Sequence, residues 1–236
     1  MGKIWSVCSG NGGVGKTTIA LSIAAGAAKA GKKTILLDAS GISRSCDLIL
    51  GLESVVTLDM MDVLSGQIPL QAAVYPAAQY DNLSLACASL RESIPVSQLS
   101  RAVLALHSLC DVLVVDMPVG QGTPGRGILR EGDERLIVIR PDNACIRAAE
   151  HVLSQGVDEP SAVSLVLNHV SRDRIKRKTQ YSQDTVQSLL DLPVLASIPE
   201  DGSIPECESH ARAAIECNGH AWTALSGLTK ALLVNA

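Results

Sequence analysis

The chain has 236 residues, 47% of them hydrophobic, with a formal net charge of −4 and a pI of about 5.7. This length and apolar content suit a single α/β domain. Because Phe is absent and aromatic residues make up only 2%, the core must be aliphatic and alanine-rich. A base-stacking surface for single-stranded nucleic acid and a general polyanion binder are both disfavoured.

Short apolar runs alternate with helix-forming stretches along the chain. Strands are predicted at 4–8, 34–37, 83–86, 112–115, 136–139, 163–167 and 194–198, and helices at 17–30, 59–65, 96–109, 144–153, 182–191, 205–216 and 220–234. Several runs are apolar throughout, as strands buried on both faces should be. Repeated βα units predict one domain, 1–236, with a mainly parallel sheet between helices on both faces, a three-layer α/β fold.

The stretch 10–17, GNGGVGKT, lies between the first predicted strand and the first predicted helix. It fits G-x-x-x-x-G-K-[ST], in which backbone N–H groups of a glycine-rich loop and the N-terminus of the next helix surround a phosphate. Lys16 is expected to reach the terminal phosphates, and the Thr17 hydroxyl to ligate Mg²⁺. A glycine turn that binds nothing is the alternative. The coincidence of loop, Lys-Thr pair and flanking elements favours the P-loop type of fold.

Three polar residues end predicted strands, at the edge where parallel sheets bind ligands. Asp116 is expected to hold Mg²⁺ through water, with a turn or helix cap as the alternative. Asp38 is expected to touch the metal shell or to order water, unless it only caps the turn. Asn168 has the donor and the acceptor that suit an adenine edge, although a simple turn asparagine has the same position. Gly120 is expected to offer its N–H to the last phosphate.

These residues resemble the motifs of the ParA/MinD family of P-loop ATPases, and its MinD branch most. The stretch 9–18 is similar to S-G-K-G-G-x-G-K-T-T, 47–53 to D-L-x-x-G-x-E, 116–120 to D-x-P-A-G and 198–201 to I-P-E-D. The resemblance, from residue 3 to about 205, implies ATP or ADP and Mg²⁺ as cofactors. It implies catalytic roles for Lys16, Asp38 and Asp116 and metal ligation by Thr17 and Asp116. It also implies nucleotide contacts from Gly12, Gly13, Val14, Gly15, Lys16, Thr17, Thr18, Asn168, Pro199 and Asp201.

Two positions depart from the family's pattern. Asn11 stands where the family has a signature lysine that crosses an ATP-bridged dimer and neutralises charge on the partner's nucleotide. Ser40 stands where MinD-like chains have a second aspartate that orients the attacking water, and Ser45 replaces a frequent asparagine. Losing such a cation is comparable to losing an arginine finger. We therefore expect ATP·Mg²⁺ to be bound, but hydrolysed slowly or not at all.

The seven cysteines contain no C-x-x-C pair, and most lie in apolar runs, where cysteine packs as a small hydrophobe. We expect them to be reduced, without a disulfide framework, as suits a cytoplasmic protein. The missing C-x-x-C also disfavours the family's iron–sulfur scaffold branch. Neither a signal peptide nor a membrane-spanning segment is expected.

Two further segments bear on partners. The basic stretch 172–178, RDRIKRK, is predicted to be a loop at the nucleotide edge. A solvated loop is favoured, with DNA, anionic lipid and a flap near the base as alternatives. The segment 221–234 has one lysine, too little charge for the basic membrane tail of MinD relatives, so we expect it to pack against the sheet. Recruitment to a membrane would then need a partner.

The resemblance implies a nucleotide switch that helps to place the division site or another cellular structure. It would work as a nucleotide-dependent homodimer whose ATP state is read by a protein partner. Two alternatives stay open. One is a non-catalytic scaffold that localises pilus or secretion machinery, as in the TadZ/CpaE group, and the other is a metallocentre-maturation ATPase of the same superfamily.

Overall fold

The computed structural model describes residues 2–41, 45–91, 94–155 and 161–234. Within them, eight strands form one sheet in the order β3-β4-β2-β5-β1-β6-β7-β8. All neighbouring strands are parallel except β3 and β4. The strands are β1 Lys3–Cys8, β2 Thr34–Asp38, β3 Tyr75–Pro76, β4 Leu83–Cys87, β5 Val112–Asp116, β6 Glu134–Ile139, β7 Ala162–Val170 and β8 Val194–Pro199.

All seven predicted strands are confirmed, and the α/β class with them. Each residue of β2, β5 and β6 is buried, which is why these strands are continuously apolar in sequence or nearly so. The two-residue strand β3 was missed because so short a segment carries no periodicity.

The described part of the chain contains nine α-helices. The connection from β1 to β2 runs toward one edge of the sheet, whereas those from β4 to β5, β6 to β7 and β7 to β8 run toward the other edge, so right-handed crossovers place α1 on one face and α4, α5 and α7 on the other. The helices are α1 Lys16–Lys29, α2 Cys46–Ile49, α3 Met60–Leu64, α4 Val96–His107, α5 Asn143–Leu153, α6 Arg172–Lys176, α7 Gln183–Leu190, α8 Ser203–Ser209 and α9 Trp222–Val234.

One helix prediction and one loop prediction are wrong. The stretch 205–216 is not one helix, because α8 ends at Ser209, Ala211 has a left-handed φ of 56°, and a separate 3-10 turn follows at Ala214–Glu216. The basic stretch 172–178 is not a loop, because its first five residues form α6. The Ser171 side chain caps this helix by accepting a hydrogen bond from the N–H of Arg174.

The C-terminal helix packs as expected. α9 lies against α1 and β8, and its buried residues are Leu225, Leu228, Thr229 and Leu232. Trp222 is half exposed at the start of the helix. Among the described residues, no helix combines the length and the apolarity that crossing a bilayer would require.

The prediction that no cysteines pair is wrong at one place. Cys207 and Cys217 form a disulfide. The chain turns at Ala211, after α8, and the two Cα atoms lie 6.0 Å apart, which is within the range that a disulfide spans. Their ten-residue separation alone gave no signal for this pairing.

Candidate nucleotide-binding site

The glycine-rich loop lies between β1 and α1 and borders a cavity of about 330 Å³. Gly13 and Gly15 have φ values of 70° and 86°, in the left-handed region that favours glycine. The loop therefore turns as the sequence motif requires. The cavity is lined by Ser9, Asn11, Gly12, Gly13, Gly15, Lys16, Thr17, Thr18, Ser40 and Val119.

The back of the loop is held by Asn168. Its Nδ2 donates to the Val14 carbonyl over 2.8 Å, and the Val14 side chain is buried. A Cβ built on Gly15 would lie 2.1 Å from the same Nδ2. The amide predicted to face adenine thus uses one of its N–H groups to hold the phosphate loop, and any side chain at position 15 would displace it.

Lys16 and Asp116 form a buried ion pair at the centre of the site. Lys16 Nζ lies 2.5 Å from Asp116 Oδ1, and the Thr17 hydroxyl donates to Asp116 Oδ2 over 2.7 Å. Burial raises the pKa of the Asp116 carboxyl, while the Lys16 ammonium opposes that rise. A phosphate arriving in the cavity would compete with Asp116 for Lys16.

Asp38 and Asp116 are brought together by strand register. They end the neighbouring strands β2 and β5 and are paired across them. Asp38 Oδ1 accepts hydrogen bonds from the Ser40 N–H and hydroxyl, over 3.0 Å and 2.5 Å. Asp38 Oδ2 accepts from the N–H groups of Ser45 and Cys46. Asp38 therefore caps the turn after β2, the alternative left open by the sequence, and lies beside the predicted metal position as well.

The oxygen donors fit a magnesium ion. Thr17 Oγ1 and Asp116 Oδ2 lie 2.7 Å apart at the head of α1, and hydroxyl and carboxylate oxygens are ligands that Mg²⁺ accepts together with phosphate and water. When bound, Mg²⁺ neutralises phosphate charge.

Residues 5–214 match the family model described as CobQ/CobB/MinD/ParA nucleotide binding domain. The chain belongs to this family. The septum site-determining protein MinD of Synechocystis is 29% identical over 208 residues, which cover 86% of this chain and 78% of the relative.

Solved structures of the family share the fold. A chain of the MinC:MinD cell division protein complex of Aquifex aeolicus aligns with a TM-score of 0.85 at 26% identity, over 99% of this chain and 96% of that one. MinD of Pyrococcus horikoshii, complexed with Mg-ADP, aligns with a TM-score of 0.81 over 100% of this chain and 99% of that one. At 23% identity the latter likeness concerns the fold alone.

A carboxylate that the sequence did not predict lies beside the phosphate loop of this CobQ/CobB/MinD/ParA family member. Glu208, in α8, accepts a hydrogen bond of 2.7 Å from the Thr18 hydroxyl. Burial raises the pKa of Glu208, and the Thr18 hydrogen bond opposes that rise. Glu208 was not predicted from the sequence, because 190 residues separate it from Thr18 and no motif includes it.

Cys46 was also missed. It begins α2, directly after the turn capped by Asp38, and its Sγ lies 3.9 Å from Asp116 Oδ2. No role in the site was predicted for it from the sequence. The available signal was its position eight residues after Asp38 and directly before the segment 47–53 that carries part of the family resemblance; residues 42–44 lie outside the described residues.

Asp201 and Pro199 make no contact with the loop among those described above, whereas Gly120 lies beside it. Asp201 accepts hydrogen bonds from Ser203 and from the Ala221 N–H, and so ties the end of β8 to the start of α9. Pro199 lines a separate cavity of about 560 Å³ with Glu200 and His220. Gly120 donates its N–H to the Ser9 carbonyl over 2.8 Å, so the expected donation to a phosphate would require that bond to open.

Proposed function

We propose that this chain binds ATP or ADP with Mg²⁺ at its phosphate loop and acts as a MinD-like nucleotide switch in placing the division site or another cellular structure. The observation that carries the proposal is the convergence of Lys16, Thr17 and Asp116 beside the glycine loop. The solved relative from Pyrococcus horikoshii that holds Mg-ADP supports the same ligands.

Each group has a defined task in this proposal. Backbone N–H groups of Gly12, Gly13 and Gly15 surround the phosphates at the N-terminus of α1. Lys16 leaves Asp116 for the β- and γ-phosphate oxygens, while Thr17 and Asp116 hold the metal. Thr18 supports the α-phosphate once its hydroxyl is released from Glu208. Asn168 fixes the loop from behind and frames the base together with the segment at Pro199.

Hydrolysis is expected to be slow. Asn11 carries no charge, so no cation from this loop position can neutralise phosphate on a second subunit. The Ser40 hydroxyl is engaged with Asp38 and supplies no carboxylate to orient water. With slow hydrolysis, nucleotide exchange would decide whether the protein holds ATP or ADP. A protein of this kind could localise other proteins without catalysis, so a non-catalytic localisation scaffold is the second candidate function.

The partner is proposed to read the nucleotide state on a homodimer. The MinC:MinD cell division protein complex of Aquifex aeolicus is an example of a second protein in complex with a domain of this fold. Because α9 is packed on α1 and β8, recruitment to a membrane is proposed to go through that partner and not through α9. The helix α6 is proposed to face solvent without binding a partner. If the protein were retained on DNA or on anionic vesicles in a salt-sensitive way, α6 would be assigned a binding role instead.

Calorimetric titration tests the ligand. ATP and ADP should bind with measurable heat when Mg²⁺ is present, and EDTA should weaken the affinity for ATP because the metal bridges phosphate to Thr17 and Asp116. Lys29→Ala, at the far end of α1, should bind like the parent protein and serves as the control. Absence of heat with either nucleotide in a folded sample would end the proposal.

Glu208→Gln is expected to tighten the binding of ADP·Mg²⁺ by roughly tenfold, because a partly buried negative charge next to an incoming phosphate is removed while an acceptor for Thr18 is kept. Burial raises the pKa of Glu208, so its carboxyl in the folded protein is protonated at a higher pH than a free glutamate. Affinity of the parent protein should therefore increase as the pH falls through that pKa, and the difference from Glu208→Gln should shrink.

Glu206→Gln is the matched control for this change. Glu206 lies on the same helix but is exposed, so its neutralisation should leave the affinity nearly unchanged. Equal affinities for Glu208→Gln and the parent protein, measured by calorimetry at neutral pH, would contradict a competition between Glu208 and phosphate.

A further inference from the structure

We propose that Asp38, Cys46 and Asp116 form a site for a thiophilic divalent cation such as Zn²⁺ or Co²⁺. Their ligand atoms, one carboxylate oxygen from each aspartate and the Cys46 sulfur, all lie within 4.8 Å of one another. The site goes beyond the proposed nucleotide function because it is formed by the protein alone and adds a sulfur ligand to the predicted magnesium position.

The three side chains are held in place by the fold. Asp38 and Asp116 are fixed at the ends of two paired strands, and Cys46 is fixed by donating its N–H to Asp38 Oδ2 over 3.2 Å. All three are almost fully buried, with 1%, 0% and 0% of their surface exposed. Since ordering the ligands costs entropy, a cluster ordered in advance binds a metal more tightly than flexible surface groups.

The donor types favour a softer metal than magnesium. Zn²⁺ accepts Cys sulfur and Asp oxygen in one coordination sphere, whereas Mg²⁺ requires oxygen ligands. The Thr17 hydroxyl, 2.7 Å from Asp116 Oδ2, is a fourth donor on the same side. Binding converts the Cys46 thiol to a thiolate, which bonds to the metal, and the released proton passes to solvent.

Lys16 does not occupy the oxygen that the metal would use. Its ammonium contacts Asp116 Oδ1, while Cys46 Sγ and Thr17 Oγ1 both face Oδ2. Once the thiolate has formed, the two carboxylates and the sulfur carry three negative charges, and Lys16 contributes one positive charge. A divalent cation therefore balances the cluster.

Two other thiols of the described chain, those of Cys8 and Cys110, have different surroundings. Cys8 Sγ faces the Ser6 hydroxyl and the Gly122 carbonyl, and Cys110 Sγ faces the Leu106 carbonyl. Cys110 lies just before β5, at the opposite edge of the sheet from Asp116, and is more exposed than Cys46. It is therefore a demanding control, because an accessible thiol would bind an adventitious metal first.

The test uses the full chain, treated with EDTA, desalted and titrated with Co²⁺ alone in buffer free of thiol reductants. A thiolate-to-cobalt charge-transfer absorption in the near ultraviolet should saturate at one cobalt per chain. It should vanish in Cys46→Ser, persist in Cys110→Ser, bleach when Zn²⁺ is added and survive excess Mg²⁺. Circular dichroism establishes that the variants are folded, and Cys46→Ala serves if Cys46→Ser is not.

Absence of the band in the parent protein, or its persistence in the folded Cys46 variant, would overturn the proposal. Removal of the band by Mg²⁺ would also overturn the proposal, because sulfur ligation would then give the site no preference for cobalt over magnesium. Failure of the cobalt site and failure of nucleotide binding can be told apart. Calorimetry with ATP·Mg²⁺ does not require the Cys46 sulfur, and the cobalt titration does not require a nucleotide.

Discussion

Combining Asn11→Lys with Ser40→Asp is expected to raise the rate of ATP hydrolysis by about 100-fold or more, since a cation placed on transferring phosphate contributes a factor of about 10³–10⁵ in related enzymes. The lysine would return the cation that the ParA/MinD resemblance implies at this loop position. The aspartate would return the carboxylate that orients water. Phosphate release measured in single-turnover experiments checks the chemical step.

The serine change has a cost that the structure makes visible. Ser40 donates both its N–H and its hydroxyl to Asp38 Oδ1, and Asp116 lies beside Asp38 in the strand register. Ser40→Asp replaces a donor by a third negative charge at this edge of the sheet, so the nucleotide-free variant should be less stable than the parent protein. Magnesium and nucleotide should restore part of that stability by mass action.

The single variants separate the two contributions. Asn11→Lys alone should recover part of the rate without the loss of stability, whereas Ser40→Asp alone should lose stability with little gain in rate. The pair Asn11→Lys with Ser40→Ala is the matched control for the added carboxylate. If the double variant binds ATP but hydrolyses it no faster than the parent protein, other parts of the site have diverged as well, and the scaffold function gains support.

The parts of the fold that the sequence predicted share a local cause. A strand buried on both faces must be apolar throughout, so runs such as Val112–Asp116 are visible without any knowledge of their neighbours. The loop at 10–17 is equally local, because the left-handed turns at Gly13 and Gly15 need glycine itself. The helices α2 and α6, of four and five residues, were not predicted because so short a helix shows little periodicity, although the equally short α3 was predicted within the stretch 59–65.

The parts of the site that the sequence did not predict depend on contacts between distant residues. Glu208 reaches Thr18 only because the chain returns to α1 after β8. The Cys207–Cys217 disulfide depends on the reversal at Ala211, and the use of Asn168 to hold Val14 depends on the order of β1, β6 and β7. Each of these is a product of topology, and no residue pattern encodes it locally.

Lys16→Met should lower the free energy of unfolding by about 3–5 kcal/mol, because it leaves Asp116 buried without its counter-charge. Asp116 is fully buried and Lys16 nearly so, which is the situation in which removing one partner is costly. Urea denaturation of the metal-free protein in EDTA measures the loss. The same variant should lose detectable binding of ATP·Mg²⁺, because the phosphates lose their cation.

Adding Asp116→Asn to Lys16→Met separates stability from ligand binding. With no charge left to bury, the double variant should recover most of the lost stability, yet it should still fail to bind nucleotide because the phosphate cation and the metal ligand are both gone.

Burial raises the pKa of Asp116, and in the parent protein Lys16 opposes the rise, so the pKa of Asp116 should be higher still in Lys16→Met. A carboxyl with a raised pKa in the folded state is protonated there first, so the stability deficit of Lys16→Met should shrink as the pH falls. In the double variant, which has no carboxyl at position 116, this change of the stability deficit with pH should disappear. If it persisted, a group other than Asp116 would be responsible for the deficit.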